Sequence, residues 1–439
     1  MGSRAQAPSG PAGTPATTGT LRTPGATGTA TAAPGHAIPA ASPNATTSAE
    51  LRRLAALSEL ACLVADGLAT TRSALIAATG LSRSAVAQRV DLLIARGLLV
   101  ESEPEATDRG RPPYTLDLAP DKILVAGVDL GATHCRIALT TLGGRVLAEA
   151  EHAIDINEGP EQVLGGVCTA MEELCRRTGR DPADLRALGI GVPGPVEAET
   201  GTVVRPPIMQ GWDGYRIPSF FAGRYAAPVL VDNDVNIMAF GEYVHRRESE
   251  HLLYVKVGTG IGCGIVSGGV LHRGASGAAG DIGHIRLPGH DDVLCHCGNT
   301  GCVEAVASGS ALARALRAEG LDATGARDVV RLVFEGHPVA RRQVRLAGQK
   351  IGEVLASLVS FHTPDTIVVG GILAQLHEDL LADIRGVIYR RALPLATRSL
   401  KIDISVLGEH AGVVGSARLA ARHLLSPQGI GEFLDAARA

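Results

Sequence analysis

Aromatic side chains are scarce in this chain, 3% of 439 residues, so its core must be packed largely with aliphatic groups. Long apolar runs are missing as well. None reaches the roughly 18–20 residues that cross a bilayer, which excludes a membrane-spanning helix and a membrane partner. Neither charge sign dominates. With 41 basic and 45 acidic residues the net charge is −4, so any nucleic-acid binding must sit in a local module. The first residues lack a basic start, an apolar block and a cleavage site, and secretion is not expected. The Ser/Thr/Ala-rich stretch before Glu50 has some likeness to an organelle transit peptide, but it carries only Arg4 and Arg22. The chain therefore reads as cytoplasmic. A disulfide framework is also missing. Cys62, Cys135, Cys168, Cys175 and Cys263 are scattered in apolar surroundings, while Cys295, Cys297 and Cys302 cluster, a pattern of buried thiols plus a metal site.

What is abundant is glycine, 54 residues, together with 45% apolar and 20% charged residues. That balance supports a real core and many tight backbone turns, and the length suits about three domains. Residues 1–49 are Ala, Thr, Pro and Gly with almost no large apolar side chains, and are expected to be a disordered tail. Over residues 50–120, Leu51, Leu54, Leu57, Leu60 and Val64 recur at helical spacing, and a second helical stretch spans Thr71 to Thr79. A third helix begins at Ser82, a good N-cap, and keeps Ala85, Val86, Val90, Leu93 and Ile94 on one face. Leu98–Val100 and Tyr114–Leu116 read as short strands around a polar loop holding Arg109-Gly110-Arg111-Pro112. Three helices and such a wing make an α+β winged helix-turn-helix. Its third helix offers Ser82, Arg83, Ser84, Gln88 and Arg89 to base edges and phosphates in a major groove, and the loop offers Arg109 and Arg111 to an adjacent minor groove. Packing against another protein is the competing use of this module.

From residue 121 the pattern becomes α/β. Ile123–Val128 is an apolar strand ending at Asp129, and the turn Gly131-Ala132-Thr133 leads into another strand. The same device returns at Leu252–Val257 with Gly258-Thr259-Gly260-Ile261-Gly262, which predicts two similar lobes facing each other. Turns of this kind let backbone N–H groups converge on an anion. Each leads into a strand, which excludes a dinucleotide fold. The literal GxGxxG at Gly189–Gly194 is a false lead, because Pro193 and Pro195 forbid the helix that should follow. Asn233-Asp234 stands between an apolar strand and a helix. There Asp234 serves either as a cap or as a carboxylate that takes a proton from a substrate hydroxyl, with Asn233 orienting the same group. His284, Cys295, Cys297 and Cys302 follow the spacing H-x10-C-x-C-x4-C. Three thiolates and an imidazole fill a tetrahedral zinc site with no open position, so the expected role is structural.

At this point the residues become recognisable. Gly277-Ala278-Ala279-Gly280-Asp281-Ile282-Gly283-His284, followed by Cys295 through Glu304, resembles the signature of the ROK family of repressors, open reading frames and sugar kinases. Asp129–Thr133, Gly191–Pro195, Asn233–Asn236, Gly258–Gly262 and Gly370-Gly371 extend the resemblance from about Val125 to about Leu424, and the added module resembles its repressor branch. The resemblance implies an actin-like, ribonuclease H-like α/β domain, with lobe 1 at 121–240, lobe 2 with the zinc site at 241–405, and C-terminal helices at 406–439 returning to lobe 1. It implies a transcriptional regulator that binds operator DNA as a homodimer or homotetramer and responds to a sugar or sugar phosphate. The sugar would be held by Asn233, Asp234, Asp281, His284 and Glu304. The alternative is a glucokinase-like enzyme with Asp234 as base. Only in that case are ATP and Mg2+ implied, at Asp129, Gly131, Thr133, Gly258, Thr259, Gly260, Gly370 and Gly371. Four residues depart from the kinase pattern: Asp281 stands for Glu, Ile208 for Asn, and Ala132 and His134 for Gly and Lys.

Overall fold

The computed structural model describes residues 48–103, 114–119 and 123–436. Residues 1–47 of the expected 1–49 tail lie outside the described residues, and so do Arg109 and Arg111 of the wing loop. Ser48 already opens α1 (Ser48–Ala65), which α2 (Arg72–Thr79) and α3 (Arg83–Ala95) follow. Each start is fixed locally, since Thr71 accepts from Ala74 N and Ser82 from Ala85 N. Gly80, at φ +68°, ends α2 in the left-handed region. Strands β1 (Leu99–Ser102) and β2 (Thr115–Leu118) pair antiparallel, each shifted toward the C-terminus of its expected span.

Lobe 1 contains β3 (Leu124–Leu130), β4 (His134–Thr141), β5 (Val146–Ala153), α4 (Pro160–Thr178) and β6 (Leu185–Val192). A short hairpin follows, β7 (Val196–Glu197) with β8 (Thr202–Val203), then α5 (Ile217–Phe221), β9 (Val229–Asn233) and α6 (Asp234–Arg246). Lobe 2 contains β10 (Leu252–Val257), β11 (Ile261–Ser267), β12 (Val270–Leu271) and the helices α7 (Val303–Ala307), α8 (Gly309–Ala318), α9 (Ala326–Phe334) and α10 (Pro338–His362). It closes with β13 (Thr366–Gly370), α11 (His377–Arg391), α12 (Pro394–Thr397) and β14 (Lys401–Ile404). The chain ends in α13 (Ala411–Leu424) and α14 (Pro427–Ala436).

Among the described residues the two large sheets have one topology. The first runs β5-β4-β3-β6-β9 and the second β12-β11-β10-β13-β14. In each, an antiparallel meander of three strands is extended by two parallel strands. The two glycine turns therefore sit at equivalent hairpins, β3–β4 and β10–β11. Helix α6 packs on β10 and β11, α13 packs on β3, β4 and β6, and the two helices pack on each other. Their close approach depends on Gly415, where a Cβ would collide with the carbonyl of Ile237.

The C-terminal helices do not both return to lobe 1. Helix α13 does, but Ile430 and Leu434 of α14 are buried with Leu57, Leu60 and Leu93 of the N-terminal helices. The physical reason is an apolar face on α1 that lobe 1 alone does not cover. Polar contacts secure the junction: Ser58 Oγ donates to the Leu425 carbonyl at 2.7 Å, Arg96 donates to the Leu434 carbonyl at 3.1 Å, and Arg422 pairs with Asp66 at 2.8 Å.

Candidate functional site

The parallel strands end where the helices begin, and this gathers the polar residues. Asp129 lies near the end of the wholly buried β3, with its carboxylate against Gly412 in the first turn of α13. Its Oδ1 is buried without a hydrogen-bond partner. Burial pushes the acid up to about 7, against the pull of Lys256 and with a push from Asp234.

Asn233 resolves the question of the cap. Its Oδ1 accepts from Val235 N at 3.0 Å and its Nδ2 donates to the Gly194 carbonyl at 3.1 Å, so Asn233 caps α6 and ties it to lobe 1. Asp234 is thereby left out of capping. It is buried at the first position of α6, where its side chain is 4% exposed and ion-paired with Lys256.

The glycine turns are covered by side chains. In the first, Gly131 N–H donates to the His134 carbonyl at 2.8 Å, and the His134 imidazole lies over Gly131. Burial, then the charge of Lys256, lowers the pKa of that imidazole, which favours its neutral form. Thr133 is exposed at the rim. In the second turn Glu304, the second residue of α7, passes beside Gly283 and reaches Gly260, where it accepts from Ile261 N at 2.9 Å. Thr259 is exposed, and the carbonyls of Gly258 and Thr259 accept from the N-terminus of α8 at 2.7 and 3.4 Å. Gly370 and Gly371 end β13 next to this turn. Tyr254 packs on Gly370, and Gly371 takes φ +82°.

One step from Glu304 lies the cysteine cluster. Ligand atoms of His284, Cys295, Cys297 and Cys302 all lie within 4.8 Å of one another, a group that could hold a metal ion. Cys295 Sγ stands 3.6 Å from His284 Nδ1, and Cys297 Sγ stands 3.7 Å from Cys302 Sγ. The other ring nitrogen, Nε2, faces Asp281 Oδ1 at 3.8 Å. Asp281 itself is exposed. Ile208 packs against the lobe 1 core.

The structure thus pairs Asp234 with Lys256, sets Glu304 at the second glycine turn, and places Asp281 beside His284. It sets the N-terminal candidates apart from this cleft. Ser82, Arg83, Ser84 and Gln88 are exposed, whereas Arg89 turns back to the Ala85 carbonyl at 3.0 Å and its Nε is buried without a partner. Two residues escaped the sequence reading. Lys256 is one, and its signal was a single charge in the apolar run Leu-Leu-Tyr-Val-Lys-Val. Arg136 is the other, joining Glu149, Glu151 and Glu409 at 3.1, 2.8 and 3.2 Å.

A sheet of three antiparallel and two parallel strands, repeated with a glycine turn at the same place, defines a two-lobed actin-like fold. The ROK family model matches residues 125–423, and this chain belongs to the ROK family. It is 30% identical over 378 residues to the xylose repressor of Caldicellulosiruptor bescii, an alignment covering 83% of this chain and 94% of that protein. Its structure resembles a ROK family transcriptional regulator, a homologue of the E. coli MLC protein, with TM-score 0.74 and 24% identity over 88% of this chain and 99% of that one. It also resembles a ROK family glucokinase from Streptomyces griseus in complex with glucose and AMPPNP, with TM-score 0.60, 31% identity and coverage of 68% and 99%. The repressor match covers more of this chain than the ROK domain and everything after it can supply, so it reaches into the N-terminal helices.

Proposed function

We propose that this chain is a sugar-responsive transcriptional regulator. The observation that carries the reading is the path of α13. Its first turn touches the Asp129 carboxylate, and its 14 residues, about 21 Å of helix, end at Leu424, next to the Leu425 carbonyl that Ser58 of α1 bonds. A sugar held by Asn233, Asp234, Asp281, His284 and Glu304 would act on α6 and, through the close contact at Gly415, on α13. The exposed start of α3, with Ser82, Arg83, Ser84 and Gln88, would enter the major groove of operator DNA. Arg89 is held back by its own helix and serves phosphates only if it swings out. In a homodimer or homotetramer, two such helices would read half-sites about 34 Å apart, or a multiple of it.

The metal at His284, Cys295, Cys297 and Cys302 is zinc in this reading. A tetrahedron with Zn–S near 2.3 Å and Zn–N near 2.0–2.1 Å has S···S and S···N edges of about 3.7 and 3.6 Å, the separations seen between Cys297 and Cys302 and between Cys295 and His284. All four positions are filled by protein, so the ion is structural. It would fix the His284 ring so that Nε2 points toward the sugar.

The test is a duplex selected on the full protein from random DNA, titrated by gel shift with and without D-xylose, D-glucose and other monosaccharides. Coupling of the usual 1–3 kcal/mol gives a 5- to 150-fold change in DNA affinity with one of them. Affinity indifferent to every sugar removes the sensing half.

The kinase reading draws on the glucokinase likeness and on Asp234, which is buried and free of capping. Asp234 would then take the proton of a sugar hydroxyl, and ATP with Mg2+ would lie across the two glycine turns with Gly370 and Gly371 by the adenosine. ADP release on adding the sugar that binds separates the two readings.

A further inference from the structure

Lys256 is the one charged residue of β10. Its neighbours across the sheet are Gly262 on β11 and Gly370 on β13, neither of which has a side chain. The lysine stem runs past Gly258 at the second glycine turn, and the ammonium pairs with Asp234 Oδ2 in lobe 1. The lysine side chain is only 21% exposed. Burial by itself lowers its pKa, but the pair with Asp234, then Asp129 and Glu304, outweigh burial and raise it. It is a fixed cation at neutral pH.

A carboxylate that serves as base in phosphoryl transfer must take the hydroxyl proton. As it does so, the sugar oxygen bonds to phosphorus and the bond from phosphorus to the departing ADP oxygen breaks. An ammonium bonded to that carboxylate lowers its basicity and occupies one of its oxygens. It also sets a positive charge where a metal–nucleotide would bring its own.

We propose that Lys256 is the positioning residue that makes this cleft hold a sugar without reacting with it: its ammonium occupies Asp234 Oδ2, so that Oδ1 is left to accept a sugar hydroxyl's hydrogen bond. This rests on the sugar-sensing reading above.

The full-length protein and its Lys256→Met and Lys256→Arg variants are titrated calorimetrically with D-glucose and D-xylose at pH 8. The same sugars with Mg-ATP are assayed for ADP release against an Asp234→Asn control. Wild type binds sugar and releases no ADP above the control. Lys256→Met has nearly the same length and no charge. It leaves Asp234 Oδ2 without the ammonium that holds it, and its sugar affinity falls about fivefold below wild type, as expected for one misplaced hydrogen bond. Lys256→Arg keeps the cation and restores most of that affinity. Lys256→Met affinity equal to that of wild type overturns the proposal. So does wild-type ADP release that Asp234→Asn abolishes, and that arm needs no folded lysine variant. Wild type that binds no sugar at all overturns the sensing reading, and this proposal with it. Intact binding accompanied by turnover overturns the role of Lys256 alone.

Discussion

The two lobes share one strand order and differ in what closes their glycine turns. Lobe 1 closes its turn from within three residues, with His134 folded over Gly131. Lobe 2 closes its turn with Glu304, whose partner Ile261 lies 43 residues earlier in sequence. Glu304 stands two residues beyond Cys302, so the second turn depends on the cysteine cluster while the first does not. The N-terminal helices ride on α13, which packs on the lobe 1 sheet. A repeated backbone thus carries two unlike devices: a self-contained turn on the lobe bound to the N-terminal module, and on the other a turn closed from beside the cysteine cluster.

The strongest way to break this comparison is to disrupt the cysteine cluster. Cys297→Ser loses zinc, measured by elemental analysis of protein purified without chelator. Structural zinc in small domains contributes on the order of 10 kcal/mol, and here the loss falls on one loop region. Hydrogen exchange then speeds across 282–304 and at Ile261 N–H, and stays unchanged across β3 and β4. Equal loosening in both lobes would sink the distinction.

A smaller effect is expected at Asp129. A carboxyl raised to about 7 when folded, against about 3.9 unfolded, binds more protons in the native state between those values. Its contribution to stability is therefore fully present below about pH 4 and is lost as pH rises to about 7. Asp129→Asn should stabilise the protein at pH 8, by no more than about 4 kcal/mol, with the gain fading to nothing by pH 4. Urea melts at both pH values check the sign, and a gain that grows on acidification contradicts it.

The smallest change tests the junction. Ser58→Ala leaves the Leu425 carbonyl without its hydroxyl donor and costs about 1–3 kcal/mol. If α13 carries the sugar signal, the same variant also reduces the sugar-induced shift in DNA affinity while leaving sugar affinity alone. An unchanged shift would mean that the signal travels by another route.

Much of this was legible in the sequence because it is local. The strand Leu252–Val257 and the N-cap at Ser82 follow from apolar runs and capping chemistry within a few residues. The cysteine cluster was legible from its spacing, since His284 and three cysteines within 19 residues leave little choice of partner. Asn233 and Asp234 were legible as a pair but not as separate roles, because the cap depends on which side chain the helix start turns toward Val235. Lys256 was invisible as a partner of Asp234, since a lone lysine in an apolar strand does not say which acid it meets across the cleft. The destination of α14 was hidden for the same reason, because its apolar face fits any complementary surface.

The sequence by itself determined the elements, the repeated glycine turns, the grouping of His284 with three cysteines and the family, because backbone preference and residue spacing act over short stretches of chain. Only the tertiary structure decided that an ammonium from lobe 2 meets a carboxylate from lobe 1, and that the last helix belongs to the first. Those pairings are set by which buried charges and apolar faces the packed sheets bring within reach, and no short-range pattern carries that information.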